Sequence, residues 1–258
     1  MYLAELRFKI IADTQLALAE QAIRGYLEAL IFNGQVLGRE FPTALQQTAF
    51  VSRVVIPQTT ALHRHCHSQQ GLQQLQRLAS AGLGYPQLTV LGEDLMSQHT
   101  SPTEAPAALI MFSTFADNCS ILRCIEHFAP VPLYRFAPVD AIDHQPLIRW
   151  QIQFQALDEI QSQQNRVLPK VAENSLQQLH SKLNRQGRSL ANAISQRNKL
   201  PVYYALYSGS SSNCATEAAK PCPGCAAPWR LAEPLHQIFD FKCEQCRLLG
   251  NIAWDCQA

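Results

Sequence analysis

The sequence predicts an α+β protein with a ferredoxin-like N-terminal domain, a second α+β domain and a C-terminal zinc ribbon. Three observations carry this. Residues 2–91 show the order strand, helix, strand, strand, helix, strand, which is that of a split β-α-β unit. A second mixed run of apolar strands and amphipathic helices extends from Ala107 to Tyr207. Near the end, Cys222-Pro-Gly-Cys225 and Cys243-Glu-Gln-Cys246 stand 17 residues apart, a spacing that fits a four-thiolate metal site.

The first domain, 1–92, opens with a strand in which Leu3, Leu6, Phe8 and Ile10 interleave imperfectly with Glu5, Arg7 and Lys9. Asp13 or Thr14 can cap the helix that follows. Its apolar face is Leu16, Ala19, Ile23, Leu27 and Leu30, and Asn33-Gly34 ends it with residues that accept the left-handed conformation. Strands are expected over 35–41 and 49–56, joined by 42–48. A second helix over 68–81 has Ser68 as cap, Leu72, Leu75 and Ala79 on one face, and Gly82 beyond its end. Gln87–Leu91 closes the unit.

Residues 93–106, rich in Ser, Thr and Pro toward their end, read as a linker. The second domain, 107–208, starts with the apolar strand Ala107–Thr114. Cys119–Phe128 reads equally as a short helix or a loop, and Pro132–Phe136 as a strand. One helix from Leu147 carries Trp150, Phe154 and Leu157. Another, from about Pro169, carries Ala172, Leu176, Leu179, Leu183, Leu190 and Ile194, with Gly187 placed to bend or split it. Val202–Tyr207 is an aromatic strand. A flexible linker, 209–219, leads to the ribbon, 220–258.

In each Cys-x-x-Cys knuckle two sulfurs must reach one small ion at about 2.3 Å, and two intervening residues form the turn that aims both at it. Pro223 and Gly224 suit such a turn. Strands are expected at Trp229–Leu231, Ile238–Lys242 and Asn251–Trp254. Cys222, Cys225, Cys243 and Cys246 are therefore the expected zinc ligands; four unrelated core cysteines are the alternative. A thioredoxin-like redox role calls for one pair opening a helix, not two opposed pairs.

These residues resemble a family of uncharacterised bacterial proteins described as zinc-ribbon-containing and suggested to bind nucleic acid. The likeness rests on Cys222–Cys225, on Trp229-Arg-Leu-Ala-Glu-Pro-Leu-His236 and on Phe239 through Trp254. Pro130-Val-Pro-Leu-Tyr-Arg135 and Pro201-Val-Tyr-Tyr-Ala-Leu-Tyr207 extend it over the C-terminal half. The resemblance implies the zinc site and suggests nucleic acid as partner. Where the family pattern leads one to expect a Cys-x-x-Cys before the Pro130 run, this chain has Cys124-Ile-Glu-His127.

Over 258 residues, 47% are apolar and 16% charged, the profile of a globular chain with real cores. Formal net charge is only +1, but its placement is uneven. Between Asn165 and Leu200 seven Lys/Arg face one acid, whereas between Glu93 and Ile160 three face nine. The basic helix is a plausible footprint for a phosphate backbone, with Arg185, Arg188, Arg197 and Lys199 as the leading contacts to RNA or DNA. The competing expectation is that it docks on the acidic segment or is a solvated face, which leaves the ribbon as a protein-docking module. The ribbon's charges balance, and its Trp229, Phe239, Phe241 and Trp254 suit either base stacking or a small core.

His63, His65 and His67 would share one face of a strand as metal ligands, or sit in an exposed turn; Cys119, Cys124 and His127 offer a partial second set. No nucleophile elbow, phosphate loop, dinucleotide fingerprint or metalloprotease helix is present, so a non-enzymatic role is expected. The N-terminus lacks signal-peptide features and no apolar run reaches about 18 residues, so no membrane span is expected. An odd count of nine cysteines points to a reducing cytoplasm, with Cys66, Cys119, Cys124, Cys214 and Cys256 free.

Overall fold

A computed structural model describes residues 1–140, 142–163 and 168–257. The chain divides into two compact units, the first comprising residues 1–102, 118–120 and 129–145, and the second 103–117, 121–128 and 146–258. Both mix helix and sheet. No helix among the described residues is long and apolar enough to cross a membrane.

The first unit runs β1 (Tyr2–Lys9), α1 (Leu16–Phe32), β2 (Thr43–Gln46), β3 (Ala49–Ile56), α2 (Gln69–Ser80) and β4 (Gln87–Glu93). The sheet order is β2-β3-β1-β4, antiparallel throughout. This is the strand order of a split βαββαβ sandwich. Ala4, Leu6 and Phe8 alternate along β1 and bury against Ile23, Leu27 and Leu30 of α1 and Leu78 of α2. Ser68 caps α2 by accepting from the Gly71 amide at 3.1 Å.

Two local expectations fail here. Gln15, not Asp13 or Thr14, is the N-cap of α1, and it makes no side-chain capping bond. Residues 35–41 form no strand; Leu37 alone bridges to Val55. The stretch is a loop whose first residues, Gln35 and Val36, are buried; Asn33 Nδ2 donates to Gln35 Oε1 at 2.7 Å and Gln35 Nε2 donates to the Ala61 carbonyl at 2.6 Å. The true partner of β3 is β2, inside the stretch expected to be the connection.

The second unit contains β5 (Leu109–Met111), β6 (Leu122–Cys124), α3 (Gln145–Ser162), α4 (Leu168–Gln177), α5 (Lys182–Asn198), β7 (Val202–Leu206), α6 (Cys214–Glu217), β8 (Arg230–Leu235), β9 (Phe239–Cys243) and β10 (Leu248–Gly250). All six strands form one sheet in the order β6-β5-β7-β10-β9-β8. β7 is parallel to both β5 and β10, and the outer pairs are antiparallel. Residues 220–258 thus share a sheet with residues 107–208. The stretch expected as a linker, 209–219, carries α6 and a disulfide from Cys214 to Cys256, two residues expected to be free thiols.

Other stretches also differ from expectation. Cys119–Phe128 contains a strand, β6, held to β5. Pro132–Phe136 is a 3-10 turn, and Trp254–Cys256 is another in place of the last expected strand. The long helix breaks ahead of Gly187. Ser181 caps α5 by accepting from the Asn184 amide at 3.0 Å, while Asn184 Nδ2 donates to the Leu176 and Gln178 carbonyls that end α4. Gly187 lies in the unbroken α5 because the helix passes so close to its neighbours. A Cβ there would stand 2.5 Å from the Tyr204 ring and 2.8 Å from Trp150.

Helix propensity alone would make Gly187→Ala stabilising by about 1 kcal/mol. Overpacking against two rings reverses the sign, and we expect a loss of about 1–3 kcal/mol by chemical denaturation. A second expectation concerns His144, which is fully buried. Burial lowers its pKa to about 4. Because the folded value lies below the unfolded one, its stability contribution is complete above pH of about 6.5 and is lost as pH falls towards 4, by on the order of 3 kcal/mol. His144→Leu should flatten that part of a stability-versus-pH curve; an unchanged slope would contradict this account.

Candidate metal centre

The first knuckle lies ahead of β8 and the second forms the turn from β9 to β10. Cys243 ends β9 and faces Leu248, the first residue of β10, across the ladder. The two knuckles close alike: Ala226 and Arg247, each directly after a second cysteine, have φ of 61° and 52°. The Ala226 amide returns to the Cys222 carbonyl at 2.8 Å, and the Cys222 amide donates to the Ala227 carbonyl at 2.9 Å.

These turns bring the four sulfurs together. All lie within 4.8 Å of one another, and Cys225 Sγ is 3.6 Å from Cys243 Sγ. Four thiolates at about 2.3 Å from one tetrahedral ion would be separated by about 3.8 Å, so the cluster fits a single ion of that size. The Gly224 amide points at Cys222 Sγ (3.5 Å) and the Cys246 amide at Cys243 Sγ (3.4 Å), donors that favour thiolates. Gly224 is needed for space: a Cβ there would lie 2.8 Å from Cys246 Sγ.

Burial, then the neighbouring thiols, push Cys246 up to about 12. Burial also raises Cys243, whereas a backbone hydrogen bond at Ala227 lowers Cys225. Thiols this close resist ionising together, and a dication supplies the missing charge. With four sulfur donors no coordination position is left for substrate.

The other ligand candidates do not assemble. His67 is buried, with Nε2 3.0 Å from the Tyr26 hydroxyl and Nδ1 3.1 Å from the His63 carbonyl. It flanks a 3-10 turn, Arg64–Cys66, so the period-two alignment with exposed His63 and His65 never forms. Cys124 is buried and donates to Glu126 Oε2 at 2.6 Å, while His127 is exposed. Among the described residues one further cluster exists, Cys214, Asp255 and Cys256, and its two sulfurs are the disulfide.

Around the cysteines the aromatic residues are mostly core. Trp229 stacks on Phe241 at 4.9 Å and donates its indole N–H to the Lys220 carbonyl. Phe239 packs against Phe112 and Phe128. Trp254 is the exception, 53% exposed. Sequence reading missed Asn251. Its side chain accepts from the Ser208 amide at 3.0 Å and donates to the Ser208 carbonyl at 2.7 Å, extending the β7–β10 pairing by one rung.

The basic helix is α5. Lys182, Arg185, Arg197 and Lys199 are exposed and Arg188 is half-buried. None of the five is ion-paired among the described residues of this unit; Lys170 on α4 is, to Glu173 at 3.4 Å. Arg166 lies outside the described residues. The cysteine-bearing segment neutralises its own cations instead: Lys220 pairs with Glu217, and Lys242 and Arg247 pair with Glu244.

Three family models cover the chain, each described as a domain of unknown function: DUF8589 over residues 1–92, DUF2310 over 103–207 and DUF8594 over 211–256. An uncharacterized protein of Haemophilus influenzae is 30% identical over 99% of both chains. The chain belongs to the same bacterial family as that protein. A second uncharacterized H. influenzae protein is 32% identical over 69% of this chain and 87% of its own. Among solved structures, a candidate antibiotic biosynthesis monooxygenase of Deinococcus radiodurans covers 36% of this chain and 93% of its own at 10% identity and a TM-score of 0.27, a likeness too slight to bear on fold or activity.

Gly224→Ala, which crowds Cys246 Sγ, should weaken metal retention roughly 10–100-fold in competition with a chromophoric chelator. Wild-type affinity in that variant would show that the knuckle has room to spare.

Proposed function

We propose that this is a non-enzymatic cytoplasmic zinc-ribbon protein that binds RNA or DNA through the outer face of α5. Cys222, Cys225, Cys243 and Cys246 hold one structural zinc as thiolates, which stabilises the turn joining β9 to β10. The observation that supports the nucleic-acid reading is that Lys182, Arg185, Arg188, Arg197 and Lys199 have no ion-pair partner among the described residues of their own unit. From Arg185 to Lys199 the helix axis covers about 21 Å, enough for several successive phosphates. Ser189, Asn192 and Gln196 are exposed or half-buried on the same helix and add neutral donors.

A second reading, a protein-docking adaptor, is favoured by the internal pairing of Lys220, Lys242 and Arg247, which leaves the ribbon little charge for phosphate. In that reading α5 is a solvated face.

Two measurements separate these readings. Fluorescence anisotropy with labelled single strands across salt should give a slope of log K against log salt of about −3 for four phosphate contacts, halved by Arg185→Ala with Arg188→Ala. No binding at low salt to RNA, single-stranded DNA or duplex would put the adaptor first. Elemental analysis should find about one zinc per chain, and Cys243→Ser should release it. Metal retained by that variant would overturn the ligand set.

A further inference from the structure

The second unit contains a cavity of about 470 Å³ that neither the cysteines nor the basic helix uses, within the range of small-molecule sites. Its position is set by topology. Phe112–Phe115 follow β5, Ala205–Tyr207 end β7, and Asn251 and Trp254 follow β10. β7 lies between β5 and β10 and is parallel to both. The cavity therefore opens at the carboxyl ends of parallel strands, where open sheets leave a crevice between diverging connections.

Two features of its wall point to an occupant. Ser113 lines the cavity, is 4% exposed, and its hydroxyl has no hydrogen-bond partner. An unmet buried hydroxyl costs about 1–3 kcal/mol, a cost that a ligand's polar edge would remove. At the rim, Phe115 and Trp254 are 54% and 53% exposed, an arrangement of large rings that the fold itself does not require.

The lining also defines the charge the cavity accepts. Among the described residues it includes no Lys, Arg or His, so a phosphate or carboxylate would find no counter-charge there. Asp158 is its one acid, and both oxygens are already engaged, by the Phe115 amide at 2.7 Å and Gln161 Nε2 at 3.1 Å. Gln161 in turn accepts from the Tyr207 hydroxyl at 3.1 Å. This chain holds the polar wall rigid without leaving a free carboxylate for a cation. Burial raises the Asp158 carboxyl pKa from its ordinary value, against the hydrogen bonds from the Phe115 amide and Gln161.

We infer that this cavity binds a small uncharged aromatic molecule bearing a hydrogen-bonding group, with its ring between Phe115 and Trp254 and its polar edge at Ser113. The inference is independent of nucleic-acid binding by α5.

The test uses the full zinc-loaded chain, with benzamide and quinoline as neutral probes and benzoate as the anionic one. Binding is followed by the Trp254 indole N–H resonance in heteronuclear NMR, assigned with Trp254→Ala. Both neutral probes should shift it saturably, with benzoate about tenfold weaker, since a buried anion without a partner is strongly disfavoured. Ser113→Ala should weaken benzamide about fivefold, the scale of one hydrogen bond, while melting at the same temperature as wild type or higher. The inference is overturned by the absence of a saturable shift with either neutral probe, by benzoate binding as tightly as benzamide, or by benzamide affinity unchanged in Ser113→Ala. A lowered melting temperature for Ser113→Ala would show that the hydroxyl is satisfied internally and would also overturn it.

Discussion

The second unit depends on β7. All five residues of Val202–Leu206 are buried, and both edges are occupied by parallel neighbours. A strand so enclosed has no water to satisfy its peptide groups, so both ladders must be complete. One rung comes from the second cysteine knuckle: the Tyr204 amide donates to the Arg247 carbonyl at 2.8 Å, and Arg247 is the left-handed residue directly after Cys246. The sulfur cluster therefore shapes not only the turn from β9 to β10 but also one edge of the unit's central strand. Asn251 continues the same pairing past the end of β10.

The faces of β7 divide the unit's tasks. Tyr203 and Ala205 join Ile110, Phe239 and Leu249 in one apolar cluster. Tyr204 faces the helical layer, where its ring meets Trp150 at 5.8 Å and its hydroxyl donates to Asn184 Oδ1 at 2.6 Å. Only a glycine at 187 allows α5 to approach this pair. That approach directs Leu183, Leu190 and Ile194 inward, and the same 3.6-residue period leaves Lys182, Arg185 and Arg197 outward. Core packing and the exposed cationic face are two sides of one helical repeat.

Charge is handled differently in the two parts of this unit. Near the cysteines Lys220, Lys242 and Arg247 each have a nearby carboxylate, Arg230 donates to the Ala218 carbonyl, and Lys220 also lies over the Phe241 ring at 4.8 Å. Inside the unit, Arg123 is buried with Asp117 at 3.0 Å and sits over the Phe112 and Phe128 rings. Among the described residues of this unit, only along α5 do several cations stand without such partners, which makes the helix, rather than the cysteine segment, the place where a polyanion would gain most.

Local chemistry made part of this legible in sequence. Ser68 before an amphipathic run marked α2, alternation marked β1 and β3, and paired Cys-x-x-Cys spacing marked the sulfur cluster, because each depends on residues within a few positions of one another. Misreadings arose where long-range contacts outweigh local pattern. Val36 and Phe41 pack from a loop onto the first unit's core, Cys119–Phe128 becomes a strand only by pairing with β5, and Gly187 answers to rings on α3 and β7 rather than to a helix break. The Ser113 cavity left no sequence signal at all, since its wall comes from the ends of three strands and from a helix. By itself the sequence determined the order of the first unit's elements and which four cysteines meet. Only tertiary structure decided that the cysteine strands complete the second unit's sheet, because backbone ladders between distant segments carry no residue code that a single sequence displays.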